Sequence, residues 1–147
     1  METNKPATPE TYESLYVQFI YHFNVTFDYF ECHEVLEELW LETGRDPLYQ
    51  GLLQVAVGLH HHNNGNVSGA IKLFSQAIDK IQHYPDNALG IDLAFVLDQS
   101  RTYLVGLQAD ASKEFQPFLV PVHDGKLQAL VDEWAANAPE HGEDEGD

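Results

Sequence analysis

The chain has 147 residues, 44% of them hydrophobic, with 24 acidic against 7 basic side chains and a formal charge of −17. A field of that sign repels phosphate backbones and anionic lipid surfaces, which argues against nucleic acid and membranes as partners. Cys32 is the sole cysteine, so no intramolecular disulfide can form.

Read in chain order, the sequence predicts helices and no strand. The opening stretch METNKPATPETYESL has neither a basic nor an apolar leader region, so it does not read as a signal peptide and a cytoplasmic location is expected. A first helix is expected over 9–22, with Thr8 as N-cap and Pro9 at the first helical position. A second begins near Thr26 and stops before Gly44, a residue suited to the left-handed position after a helix. Asp46 caps a third helix over 47–63, and Asn66 caps a fourth over 67–84, which Pro85 ends. A fifth spans 91–109. The stretch EFQPFLVPVHDG alternates like a strand, but Pro117 and Pro121 favour a loop packed on the helices. Asp124 caps a short last helix to Asn137.

Short connections make neighbouring helices antiparallel, so the expectation is an all-α, single-domain bundle of five to six helices over 1–137. An acidic disordered tail follows over 138–147. The excess of acid serves solubility, or suits a salty cytoplasm whose ions screen the self-repulsion.

The second helix carries the unusual feature. On a wheel of about 3.6 residues per turn, Tyr29, Cys32, Leu36, Leu39 and Trp40 form the apolar face, while Glu31, Glu34, Glu38 and Glu42 gather opposite. His33 and Glu37 fall between these groups, one turn apart and able to touch, inside an apolar surround. In the third helix His60 falls within the apolar face, and His61 lies on a polar stripe with Gln50 and Gln54. Gly51 and Gly58 sit two turns apart, where another helix can approach closely. An antiparallel hairpin would bring His33 toward His60.

Three readings fit these positions. The first is a hydrogen-bonded network of His33, Glu37 and His60 that fixes helix register. The second is a site for zinc or a similar divalent metal, ligated by His33, Glu37 and His60 or His61, with Glu34 or Glu38 as base. The third is a small-molecule pocket lined by these groups with Trp40, Gln54 and Tyr103. HEVLEE is not the H-E-x-x-H zinc motif, since position 37 is Glu. Consecutive histidines on a helix point about 100° apart, so His60, His61 and His62 cannot chelate together, and His62 is expected to be solvated. Arg101 borders the apolar face of the fifth helix and is expected to pair with Asp98. Cys32 reads as an inert core residue. Phe27 and Tyr21, near helix ends, make self-association a candidate. The expected function is that of a non-catalytic binding or interaction protein for a neutral or cationic ligand; the alternative is a metal-dependent hydrolase using His33, Glu37 and His60.

The stretches YFECHEVLEELW, QGLLQVAVGLHHHNNGNVSGAIKLF, LGIDL and FQPFLVPVHDGKL resemble the domain of unknown function family 309, small proteins of bacteria and archaea, from about Tyr12 to Trp134. The resemblance implies an all-helical bundle and supplies no activity, substrate or catalytic residue. Its motif carries onto His33, Glu34, Glu37, Trp40, Gly51, His60, Gly65, Asn66 and Ala70. His62 departs from the family pattern, as does the low count of basic residues, which fits an acidic, salt-tolerant host.

Overall fold

All but the first helix begin where a short polar side chain satisfies backbone N–H groups that a helix start leaves free. In the computed structural model, which describes residues 12–138, six α-helices follow in order: α1 (Ser14–Tyr21), α2 (Tyr29–Glu42), α3 (Pro47–Asn63), α4 (Val67–Ile81), α5 (Leu93–Ala109) and α6 (Gly125–Asn137). Asp28, Asp46, Asn66, Asp92 and Asp124 accept from N–H groups of the first turns of α2 to α6. Four of these caps are aspartates, whose charge also complements the positive end of the helix dipole. The fold is an all-α bundle. No strand is present among the described residues, which contain one isolated bridge between Ile91 and Val122. The expected cap Thr8, Pro9 at the expected first helical position, and the acidic tail beyond Ala138 lie outside the described residues.

Three boundaries differ from expectation. Between α1 and α2 the chain makes a π-helical turn over His22–Thr26, then passes through Phe27 in the left-handed region (φ 55°). The second helix therefore starts at Tyr29, capped by Asp28, and not near Thr26. The turn is tied from outside: Asn24 donates to the carbonyl of Val120 and accepts from its N–H, both at 2.8 Å. That partner lies in the segment between α5 and α6, so local sequence carries no sign of it. α4 ends at Ile81 and α5 starts at Leu93, each a few residues inside the expected limits.

α3 is the central helix, packed between α2 and α4, while α1 packs on α2 and α6. The two glycines of α3 permit the approach of α4. A Cβ on Gly51 would stand 2.9 Å from Cγ1 of Ile81, and one on Gly58 would stand 2.9 Å from the ring of Phe74. The core collects Tyr16, Phe19, Phe23, Leu36, Leu39, Leu52, Leu59 and Phe74, all fully buried. Cys32 is buried in the same core, and burial pushes its thiol well above the ordinary range, as expected of an inert side chain.

The segment between α5 and α6 crosses the bundle as an extended strap, matching the reading of a packed loop. It buries Phe118 and Val120, and its backbone is held by Asp92 N–H to the Pro121 carbonyl and by His123 and Asp124 N–H to the Gly90 carbonyl. The strap also overturns the expectation for His62. That residue is 7% exposed, not solvated. Its Nε2 lies 2.9 Å from the Lys113 carbonyl, which can only accept, so Nε2 carries the proton. Its Nδ1 is hydrogen-bonded with the Tyr103 hydroxyl, which donates to it when the ring is neutral. Phe115 of the strap stands against the same ring. Tyr103 thus belongs to this internal contact, stacked on Phe74 with ring centres 4.7 Å apart. Arg101 donates to Gln82 at 3.2 Å instead of pairing with Asp98.

Candidate functional site: a groove between α2, α3 and α4

The one-turn spacing of His33 and Glu37 does bring them together. His33 Nε2 stands 3.1 Å from Glu37 Oε1, and His33 Nδ1 stands 3.8 Å from Glu34 Oε2. The side chains are more open than the helical wheel suggested: His33 is 35% exposed and Glu37 49%. The reason is the neighbours. Phe30 and Leu41, which flank Glu37 on the helix wheel, are themselves 54% and 50% exposed. The pair sits at a rim, where an ion pair contributes little to stability.

The rim belongs to a groove of about 240 Å³. α2 supplies His33, Glu37 and Trp40. α3 supplies Gln50, Leu53, Gln54 and Val57, and α4 supplies Leu73. None of these lining residues is Lys or Arg. Leu53, Val57 and Leu73 make the aliphatic part of the lining, and Gln50 and Gln54 add amides to it. Gln54 is 7% exposed; its Nε2 donates to Gln76 Oε1 of α4 at 2.9 Å, while its own Oε1 is buried with no protein partner among the described residues. The indole Nε1–H of Trp40 is likewise buried and unpartnered. A buried donor or acceptor left unpaired costs about 1–3 kcal/mol. The hydroxyls of Tyr29 and Ser100, away from the groove, are also buried without a partner among the described residues. The exposed Arg45 lies over the Trp40 ring, its guanidinium carbon 5.1 Å from the ring centre. Arg45 takes that position from the α2–α3 turn, where Gly44 and Arg45 both adopt positive φ (75° and 67°).

His60 does not join His33. The Phe30 ring lies between them, 6.3 Å from the His33 ring and 6.0 Å from that of His60. In the α2–α3 hairpin His60 therefore meets Phe30, about one turn away from where the expected stagger placed it. It lines a separate depression with Thr26, Asp28 and Asn63, and its Nε2 is 3.3 Å from Asn64 Nδ2. His61 contacts Asn66 at 3.4 Å, and burial together with neighbouring His60 holds its pKa below the ordinary value. Among the described residues no group of three or more His, Cys, Asp or Glu side chains is placed to hold a metal ion. The set His33, Glu37, His60 and His61 is divided between two sites. Glu34 offers no third ligand, because it stands at the Nδ1 edge of His33 while Glu37 stands at the Nε2 edge.

The α2–α4 residues that build this groove lie in a part of the chain that a family model matches. The family model described as "Domain of unknown function (DUF309)" matches residues 16–73. "Uncharacterized protein YpuF" of Bacillus subtilis (strain 168) is 34% identical over 122 residues, spanning 80% of this chain and 69% of the relative. The chain belongs to the DUF309 family. An "Uncharacterized protein" of Aquifex aeolicus (strain VF5) is 33% identical over 82 residues, 54% of this chain, which spans 23% of that longer relative. Every residue lining the groove falls inside the DUF309 match. No helix among the described residues is long and apolar enough to cross a membrane.

Proposed function

We propose that this DUF309 protein is a non-catalytic binding protein whose ligand is a small molecule seated in the α2–α3–α4 groove. The observation that carries this reading is the groove itself, about 240 Å³, in which an apolar wall of Leu53, Val57, Leu73 and the half-buried Trp40 meets the polar side chains of Gln50, Gln54, His33 and Glu37. The half-exposed His33–Glu37 pair at the rim supplies polar contacts for whatever extends outward. The chain's negative field and the lack of Lys or Arg in the groove favour a neutral or cationic molecule over an anion. A cytoplasmic location is part of the same proposal. The hydrolase alternative needs a third metal donor beside His33 and Glu37, and no observation favours it over the binding reading.

The test is native mass spectrometry of untagged protein, followed by thermal denaturation against a panel of neutral, cationic and anionic small molecules. A bound mass, or a concentration-dependent rise in Tm that disappears in Gln54→Met, is the expected result. A protein that carries no adduct and is stabilised by no member of the panel would refute the reading.

A further inference from the structure

Away from the groove, a second face of the molecule holds apolar side chains in water. Four of the seven large hydrophobic side chains exposed among the described residues are Val25, Phe27, Phe30 and Leu119, each about half exposed. Val25 and Phe27 lie in the link between α1 and α2, and Phe30 in the first turn of α2. Asn24, through its two hydrogen bonds to the Val120 backbone, brings the neighbouring Leu119 of the strap to the same link. Phe27 stands in the left-handed region (φ 55°), which an aromatic residue adopts under strain and only where its surroundings hold it there. Core burial does not account for that strain, because the ring it fixes stays half in solvent. Exposed apolar side chains gathered on one patch mark an interaction surface.

Phe27 and Phe30 also line a depression of about 370 Å³ between the start of α2 and the end of α3, with Asp28, His60, Asn63 and Asn64. We infer that this face docks a basic peptide segment of another protein, one Arg or Lys entering the depression and aliphatic neighbours covering Val25 and Leu119. Charge selects that partner. No Lys or Arg occurs over residues 14–44 or 46–71, and Lys113, the strap's own cation, lies against Gly106 of α5. Asp28 lines the depression, and Glu31 and Glu34 follow Phe30 on α2, so the patch is edged by carboxylates alone on that side. The rings add to the selection, since a guanidinium or ammonium is drawn to the face of an aromatic ring, Arg most of all. A second copy of the chain does not fit the face. It would set Asp28, Glu31 and Glu34 against the same three residues, and one net charge of −17 against another.

The experiment selects random peptides displayed on phage against the immobilised full chain, at physiological ionic strength so that the long-range field is screened. Enriched peptides should combine Arg or Lys with Leu, Ile or Phe. One of them, synthesised with a fluorescent label, should bind about tenfold more weakly to Phe27→Asn and to Phe30→Ser in an anisotropy titration. It should bind equally to Leu41→Ser, whose side chain is as exposed at the far end of α2. Asn is the replacement at 27 because it accepts the left-handed region. Circular dichroism shows whether each variant is folded, and Val25→Ser takes the place of one that is not. Enriched peptides with no excess of Arg or Lys overturn the inference, as do peptides held equally by every variant, or a selection that enriches nothing. Dimers that depend on Phe30 in analytical ultracentrifugation overturn it too, because a second copy then covers the face. None of these readouts involves the α2–α3–α4 groove, so either reading can fail without the other.

Discussion

Tyr103→Phe is the most informative single change, because it deletes one oxygen and leaves the packing of the ring on Phe74 intact. The loss falls on His62 and on the Gln116 backbone, which also hydrogen-bonds the phenol oxygen. The His62 Nε2 proton remains committed to the Lys113 carbonyl, so the ring cannot turn its donor elsewhere without breaking that bond. Nδ1, now without the phenolic hydroxyl, becomes a buried acceptor with no partner. The cost of such a group is about 1–3 kcal/mol, or about 3–10 °C in Tm for a chain of this size. Urea denaturation followed by far-UV circular dichroism measures it, with an unchanged m-value showing that the native and denatured states keep their extents. The paired variant His62→Leu, alone and combined with Tyr103→Phe, completes a double-mutant cycle. Once His62 is gone, Phe at 103 orphans nothing on that ring, so the second change should cost less, giving a coupling of about 1 kcal/mol or more. Additivity within about 0.5 kcal/mol would show that His62 is solvated, as its sequence alone suggests, and the account of the strap would fall.

Three further outcomes follow from the geometry. Gly58→Ala gains about 1 kcal/mol of helix propensity but drives a Cβ to 2.9 Å from the fully buried Phe74 ring; overpacking of about 1–3 kcal/mol should dominate, and a net increase in Tm would show that α3 and α4 can separate freely. His33→Ala removes a pair that is a third to a half exposed, so denaturation should reveal a loss under about 1 kcal/mol; a loss of several kcal/mol would place the pair in the core after all. Burial raises the phenols of Tyr12 and Tyr49 from the ordinary value of 10.0 to about 12, and that of fully buried Tyr16 further. The folded state therefore prefers the neutral phenol, a preference complete below about pH 10 and lost as pH climbs toward 12 and beyond. Tyrosinate absorbance and loss of helical ellipticity should rise together across that window; full ionisation with ellipticity unchanged would contradict the burial of these rings.

Local pattern was enough to read much of this protein. Asp46, Asn66 and Asp124 mark helix starts by a mechanism confined to a few adjacent residues, and the structure uses all three. Gly51 and Gly58 announce a close helix neighbour, and α4 fills that place. His33 and Glu37 meet because helical geometry alone brings residues four apart together. What periodicity cannot carry is which turn of one helix faces which turn of the next. The α2–α3 stagger set Phe30, not His33, against His60 and so divided the expected metal set. His62 and Asn24 are the plainest cases. Their partners lie 51 and 96 positions away in the strap, so their roles exist only once the chain has folded back over itself. The composition and spacing of the residues determined an acidic helical bundle with a His–Glu pair. Tertiary packing alone decided that the pair stands at the rim of a groove, because burial depends on atoms that sequence distance does not bring together.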